Sequence, residues 1–151
     1  MRITLITTGG TIDGLDSDNG VLRTKSAAAE WLKKQPGIQI EEIAICNKDS
    51  TDVNSSDREE IISAIQQSDR FVLITHGTFT ITDKAILRVG AWKPFGERNS
   101  DAEHQMAFAL KLFLENPTPG VFIAMDDQLW DPDKAEKYEI ENGKFRLRSI
   151  A

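Results

Sequence analysis

Three short segments of this chain place hydroxyl and carboxylate side chains beside glycines, where they could act on a small polar molecule. The first is Thr7-Thr8-Gly9-Gly10-Thr11. Its glycines allow a sharp turn and close approach of backbone N–H groups, and its hydroxyls can serve as nucleophile or donor. A structural or phosphate-binding turn is the competing reading. The spacing is neither G-x-G-x-x-G nor a phosphate loop with its lysine. The second segment, Thr75-His76-Gly77-Thr78, offers another threonine, with His76 equally suited to orienting its loop through a backbone hydrogen bond. The third, Asp49-Ser50-Thr51-Asp52, could bind a polar ligand or form an ordinary turn. His104 reads as structural.

Each segment follows an apolar run that reads as a strand, and in α/β sheets ligands sit beyond the carboxyl ends of the strands. Met1 to Thr8, Ile38 to Cys46, Phe71 to Thr75 and Val121 to Met125 are the predicted strands. Ser26 should cap a helix through Lys34 that buries Ala28, Trp31 and Leu32 before Pro36-Gly37 stops it. Ser56 with Glu59, and Ser100 with Glu103, have capping-box spacing. Ile61, Ile62, Ala64 and Ile65 follow the first, and Met106, Ala109, Leu110 and Phe113 follow the second, at helical intervals. Asp13 to Lys25 reads as a long loop, and Asn142-Gly143 as a two-residue hairpin turn in the tail. Asp126 onward also deserves inspection as a polar stretch after a strand.

Strands alternating with amphipathic helices predict an α/β, three-layer Rossmann-like or flavodoxin-like domain with a mainly parallel sheet, spanning residues 1–151. With 18 basic against 24 acidic residues, a net charge of -6 argues against nucleic acid as partner. No apolar run is long enough to cross a bilayer, so no membrane partner and a cytoplasmic location are expected. Cys46 is the lone cysteine, which rules out an internal disulfide, and no zinc-ligand spacing is present.

Taken together and in this order, TTGGTIDG, KDSTDV and VLITHGT resemble the amino-terminal domain of the bacterial-type L-asparaginase family. VGAWKP, RNSDAEHQMAFAL, GVFIAMDDQLW and DPDK extend the likeness over most of the chain, which is similar to the short, single-domain asparaginase-like proteins. The resemblance implies that Thr11 attacks a side-chain amide to give an acyl-enzyme, and that Thr78 and Lys134 move the proton. It implies substrate binding by Gly10, Asp49, Ser50, Thr51, Gly77 and the position of Phe79, with Ser50 on the α-carboxylate. It implies no metal or cofactor, a small amide substrate, and a homodimer or homotetramer. Phe79 stands where active members carry an aspartate, and the tyrosine of their mobile loop has no counterpart, because Tyr138 is the chain's one tyrosine. The stretch before Val89 is roughly ten residues shorter than in the family, against the ~10 to 12 that a parallel crossover needs. The fourth strand is therefore either formed by Ala85 to Trp92 or lost.

Overall fold

A computed structural model describes residues 1–13, 26–48, 52–75, 84–115 and 119–132, and the backbone of strands 135–137 and 145–147. A six-stranded sheet runs in the order β2-β1-β3-β4-β5-β6. Its members are β1 (Arg2–Gly9), β2 (Gln39–Lys48), β3 (Phe71–Ile74), β4 (Ala85–Val89), β5 (Gly120–Met125) and β6 (Gln128–Trp130). All neighbours are parallel except β5 and β6, which form an antiparallel hairpin. The fourth strand is thus present as Ala85–Val89, paired with β3 from Phe71↔Ala85 to Ile74↔Arg88.

Among the described residues, three helices cover the sheet: α1 (Ala27–Lys33), α2 (Ser55–Gln67) and α3 (Ala102–Glu115). Leu5, Leu73, Leu87 and Val89 point to one face, where they meet Ala28 and Leu32 of α1 and Met106, Ala109 and Phe113 of α3. Ile6, Val72, Ile74 and Ile86 point to the other, against Ile61 and Ile65 of α2. β1 is buried on both faces, so it reads as an apolar run, whereas the edge strand β2 mixes half-buried with exposed positions.

This arrangement fixes the handedness of the connections. The step from β1 to β2 and the step from β4 to β5 go in opposite directions across the sheet, yet α1 and α3 lie on the same face. The two crossovers therefore have opposite hands. The step from β2 to β3 reverses both direction and face, so it shares the hand of the first. With those two in the right-handed sense that holds in about 98% of such units, β4-α3-β5 is left-handed.

Several local expectations are refined. Ser26 caps α1 as expected, its Oγ accepting from Ala29 N. The box at α2 uses Asn54 and Asp57 instead of Ser56 and Glu59: Asn54 Oδ1 accepts from Asp57 N at 3.1 Å, and Asp57 Oδ2 accepts from Asn54 N at 2.9 Å. At α3, Ser100 Oγ accepts from Ala102 N, but Glu103 accepts from Trp31 Nε1 at 2.9 Å and closes no box. Asp13 belongs to a buried 3-10 turn, Thr11–Asp13, and not to the loop, whose residues 14–25 lie outside the described ones. In the tail, β7 (Ala135–Lys137) pairs antiparallel with β8 (Phe145–Leu147), Lys137 opposite Phe145. The two-residue turn expected at Asn142-Gly143 lies outside the described residues.

Candidate functional site

The TTGGT segment begins inside a buried strand and ends in a turn at its carboxyl end. Gly9 and Gly10 have φ of 86° and 80°, a left-handed conformation that a side chain would strain. Those two residues reverse the chain so that Thr11 starts the 3-10 turn, half-buried, beyond the strand ends. Neighbouring strands hold the turn on both sides. On the β3 side, Thr8 N donates to Thr75 Oγ1 at 3.0 Å, and the Thr8 and Thr75 hydroxyls lie 3.2 Å apart with no exposure to speak of. On the β2 side, Gly10 N donates to Lys48 O at 3.1 Å, so Gly10 shapes the turn and spends its own N–H in doing so. Cys46 Sγ donates to Thr8 O at 3.5 Å. Burial pushes its thiol above the ordinary value, with Asp57 adding to the effect.

Asp13 closes the turn. Its N–H donates to Gly10 O at 3.1 Å, and its Oδ1 accepts from Ser26 Oγ at 2.9 Å and Ala28 N at 3.2 Å, joining the turn to the head of α1. Burial raises its carboxyl above the ordinary value despite those donors.

Of the site residues nominated from sequence, the structure places Gly10 and Thr11 at this turn. Asp49, Ser50, Thr51, His76, Gly77, Thr78, Phe79 and Lys134 lie outside the described residues. The described ends of their segments, Lys48 and Thr75, both bond to the turn, as given above.

Sequence reasoning singled out Asp126 onward but missed the polar packing it makes beside α3. Asp101 accepts from Trp92 N at 3.0 Å and Lys93 N at 2.8 Å, which anchors the segment after β4. Buried Gln105 donates to Asp126 Oδ1 and accepts from Asp126 N, while Trp92 Nε1 also donates to Asp126 Oδ1. These residues, with His104 and Trp130, line a cleft of about 410 Å³. Asp126 and Asp127, φ 54° and 57°, form the two-residue turn of the β5-β6 hairpin, and Asp127 Oδ1 meets His104 Nε2 at 2.8 Å. The only available signal was Asp-Asp at a strand end, without the glycine that marks such turns. Among the described residues, no group of three or more His, Cys, Asp or Glu is placed to hold a metal, and no helix is long and apolar enough to cross a membrane.

The family model for the N-terminal domain of asparaginase matches residues 2–144. The chain belongs to the asparaginase family. The thermostable L-asparaginase from Thermococcus kodakarensis is similar in structure, with a TM-score of 0.73 and 25% identity over 97% of this chain. A probable cytoplasmic L-asparaginase from Campylobacter jejuni superposes with a TM-score of 0.74 at 22% identity, again over 97% of this chain, which supports the fold. In each case the match covers 51% of the other protein, so the chain spans about half the length of these solved structures. The α/β architecture expected from the sequence is the one these proteins share.

Proposed function

We propose that this asparaginase-family domain hydrolyses the side-chain amide of L-asparagine, or of a related small amide, with the Thr11 hydroxyl as nucleophile. The observation that carries the reading is the Gly9-Gly10-Thr11 turn, held between β2 and β3 at the carboxyl end of a buried strand. Thr11 attacks the amide carbon, the C–N bond breaks to release ammonia, and water then frees the carboxylate from the acyl-enzyme. A threonine hydroxyl is a weak nucleophile without a nearby base, and Thr78 with Lys134 fills that role in this reading. Asp49, Ser50, Thr51 and Gly77 bind the substrate. The domain works without a cofactor, as a homodimer or homotetramer in the cytoplasm, and residues 1–151 act as one domain.

The test is ammonia release from L-asparagine by the wild type and by Thr11→Ala. A rate that Thr11→Ala leaves unchanged removes Thr11 from the mechanism. Phe79 favours a second reading, a weakened member that binds an amino acid or a partner chain, since phenylalanine offers no carboxylate to an α-ammonium. Calorimetric binding of asparagine or aspartate without turnover supports that alternative.

A further inference from the structure

The rung that fixes Gly10 is isolated from the rest of its ladder. β1 and β2 pair regularly from Arg2↔Gln39 to Thr7↔Ala44, and the register then shifts, so that Gly9 faces Lys48. One residue of β1, Thr8, is set against three of β2, Ile45 to Asn47. A pair that follows such an irregularity is not enforced by the rungs before it. Lys48, the last residue of β2, nevertheless holds Gly10 N–H on its carbonyl.

The Lys48 side chain supplies an anchor for that rung. Its ammonium donates to both carboxylate oxygens of Asp57, at 2.9 Å to Oδ1 and 2.7 Å to Oδ2. Asp57 is only 7% exposed and sits in the first turn of α2, where its Oδ2 also accepts from Asn54 N. The Lys48 side chain is 34% exposed but the Asp57 side chain only 11%, so the pair is less open to screening than one exposed on both sides.

We infer that Lys48, through its ion pair with Asp57, is a positioning residue that ties the Gly10-Thr11 turn to the head of α2. This rests on the proposed role of Thr11. Lys48 touches no reacting atom in that scheme; its backbone holds Gly10 while its side chain holds the backbone in place. The ion pair is reinforced in both partners, since Lys48 keeps the Asp57 carboxyl below its ordinary value and Asp57 raises the Lys48 ammonium above its own.

The test is amide hydrogen exchange, resolved by residue, in Lys48→Met, Lys48→Arg and Asp57→Asn. Exchange at Gly10 should quicken about tenfold or more in Lys48→Met, while Leu5 and Ile6 in the same strand keep the wild-type rate. Lys48→Arg should restore protection, because it can still reach the carboxylate bidentately. If Lys48→Met fails to fold, Asp57→Asn serves instead, since its amide oxygen can still accept from Asn54 N while the charge and one of the two acceptors for the Lys48 ammonium are lost. Wild-type protection at Gly10 in the variant, or an equal rise throughout β1, overturns the inference. In the hydrolysis assay, kcat should fall several-fold more than KM rises. Absence of ammonia release by the wild type would count against the proposed function alone, and the exchange result would still decide the role of Lys48.

Discussion

Replacing Asp13 probes how the Gly9-Gly10-Thr11 turn is joined to α1. Asp13 is 6% exposed, and its Oδ1 accepts from the Ser26 hydroxyl and the Ala28 N–H. Asp13→Ala strands the buried Ala28 N–H, at a cost of about 1 to 3 kcal/mol, and removes the partner of the Ser26 hydroxyl, at about 0.5 to 1.5 kcal/mol. The expected loss is about 1.5 to 4.5 kcal/mol, a large part of the roughly 5 to 15 kcal/mol that holds a domain together. Asp13→Asn keeps an oxygen for both donors and should cost less. The pH dependence has a definite sign. Because burial raises the folded carboxyl above its ordinary 3.8, the folded state binds more protons than the unfolded chain between the two values. Stability from this group is therefore greatest below 3.8 and falls as pH rises through the folded value. Asp13→Asn removes that fall. Urea denaturation of wild type and both variants, at several pH values from acid to neutral, measures all of this. An Asp13→Ala cost under about 0.5 kcal/mol, or identical pH profiles for wild type and Asp13→Asn, would refute the reasoning.

Thr4 is fully buried in β1 and its Oγ1 has no hydrogen-bond partner, so Thr4→Val should raise stability by about 0.5 to 2 kcal/mol in thermal or urea unfolding. Lys84 Nζ donates to Ile65 O at 2.6 Å, Gln66 O at 3.0 Å and Ser68 O, closing the carboxyl end of α2; Lys84→Met should cost about 1.5 to 3 kcal/mol, measured by the urea midpoint at unchanged slope. On the proposed reading Phe79→Asp supplies a carboxylate for an α-ammonium, and kcat/KM for L-asparagine should rise by about tenfold or more. A flat or lower value in a folded protein would show that Phe79 does not border the substrate.

The alternation of strands and helices was readable because each element buries its own pattern: Met106, Ala109 and Phe113 recur at three and four, and β1 is apolar because both its faces are covered. The turn at Gly9-Gly10 was readable because glycine marks positive φ. What escaped was decided by tertiary partners. Two capping boxes compete before α2, and the ammonium of Lys48 favours the one that carries Asp57, a choice no local spacing reveals. Arg88 lies within an apolar strand, where burial pushes its guanidinium down to about 10, against every expectation from strand patterning. The clamp of Lys48 escaped too, because its carbonyl and its ammonium bond to residues distant in sequence in opposite directions.

The left-handed crossover was the least legible feature, and it bears directly on the site. Ile12, between Thr11 and Asp13, packs into the core on the α1 face. The chain leaving β4 turns toward the same face, the one on which α3 then lies. With α3 beside α1, Phe95 N reaches Ile12 O at 3.4 Å, and Asp101 folds the intervening segment back by accepting from Trp92 N and Lys93 N. Gln105 and Asp126 then join the start of α3 to the end of β5. The rare hand thus brings the segment after β4, through Phe95, against the Thr11–Asp13 turn, so that the turn is bounded by β2, β3 and this segment together. A crossover of the usual hand would carry α3 and its polar anchors to the α2 face and leave Ile12 O without the Phe95 amide.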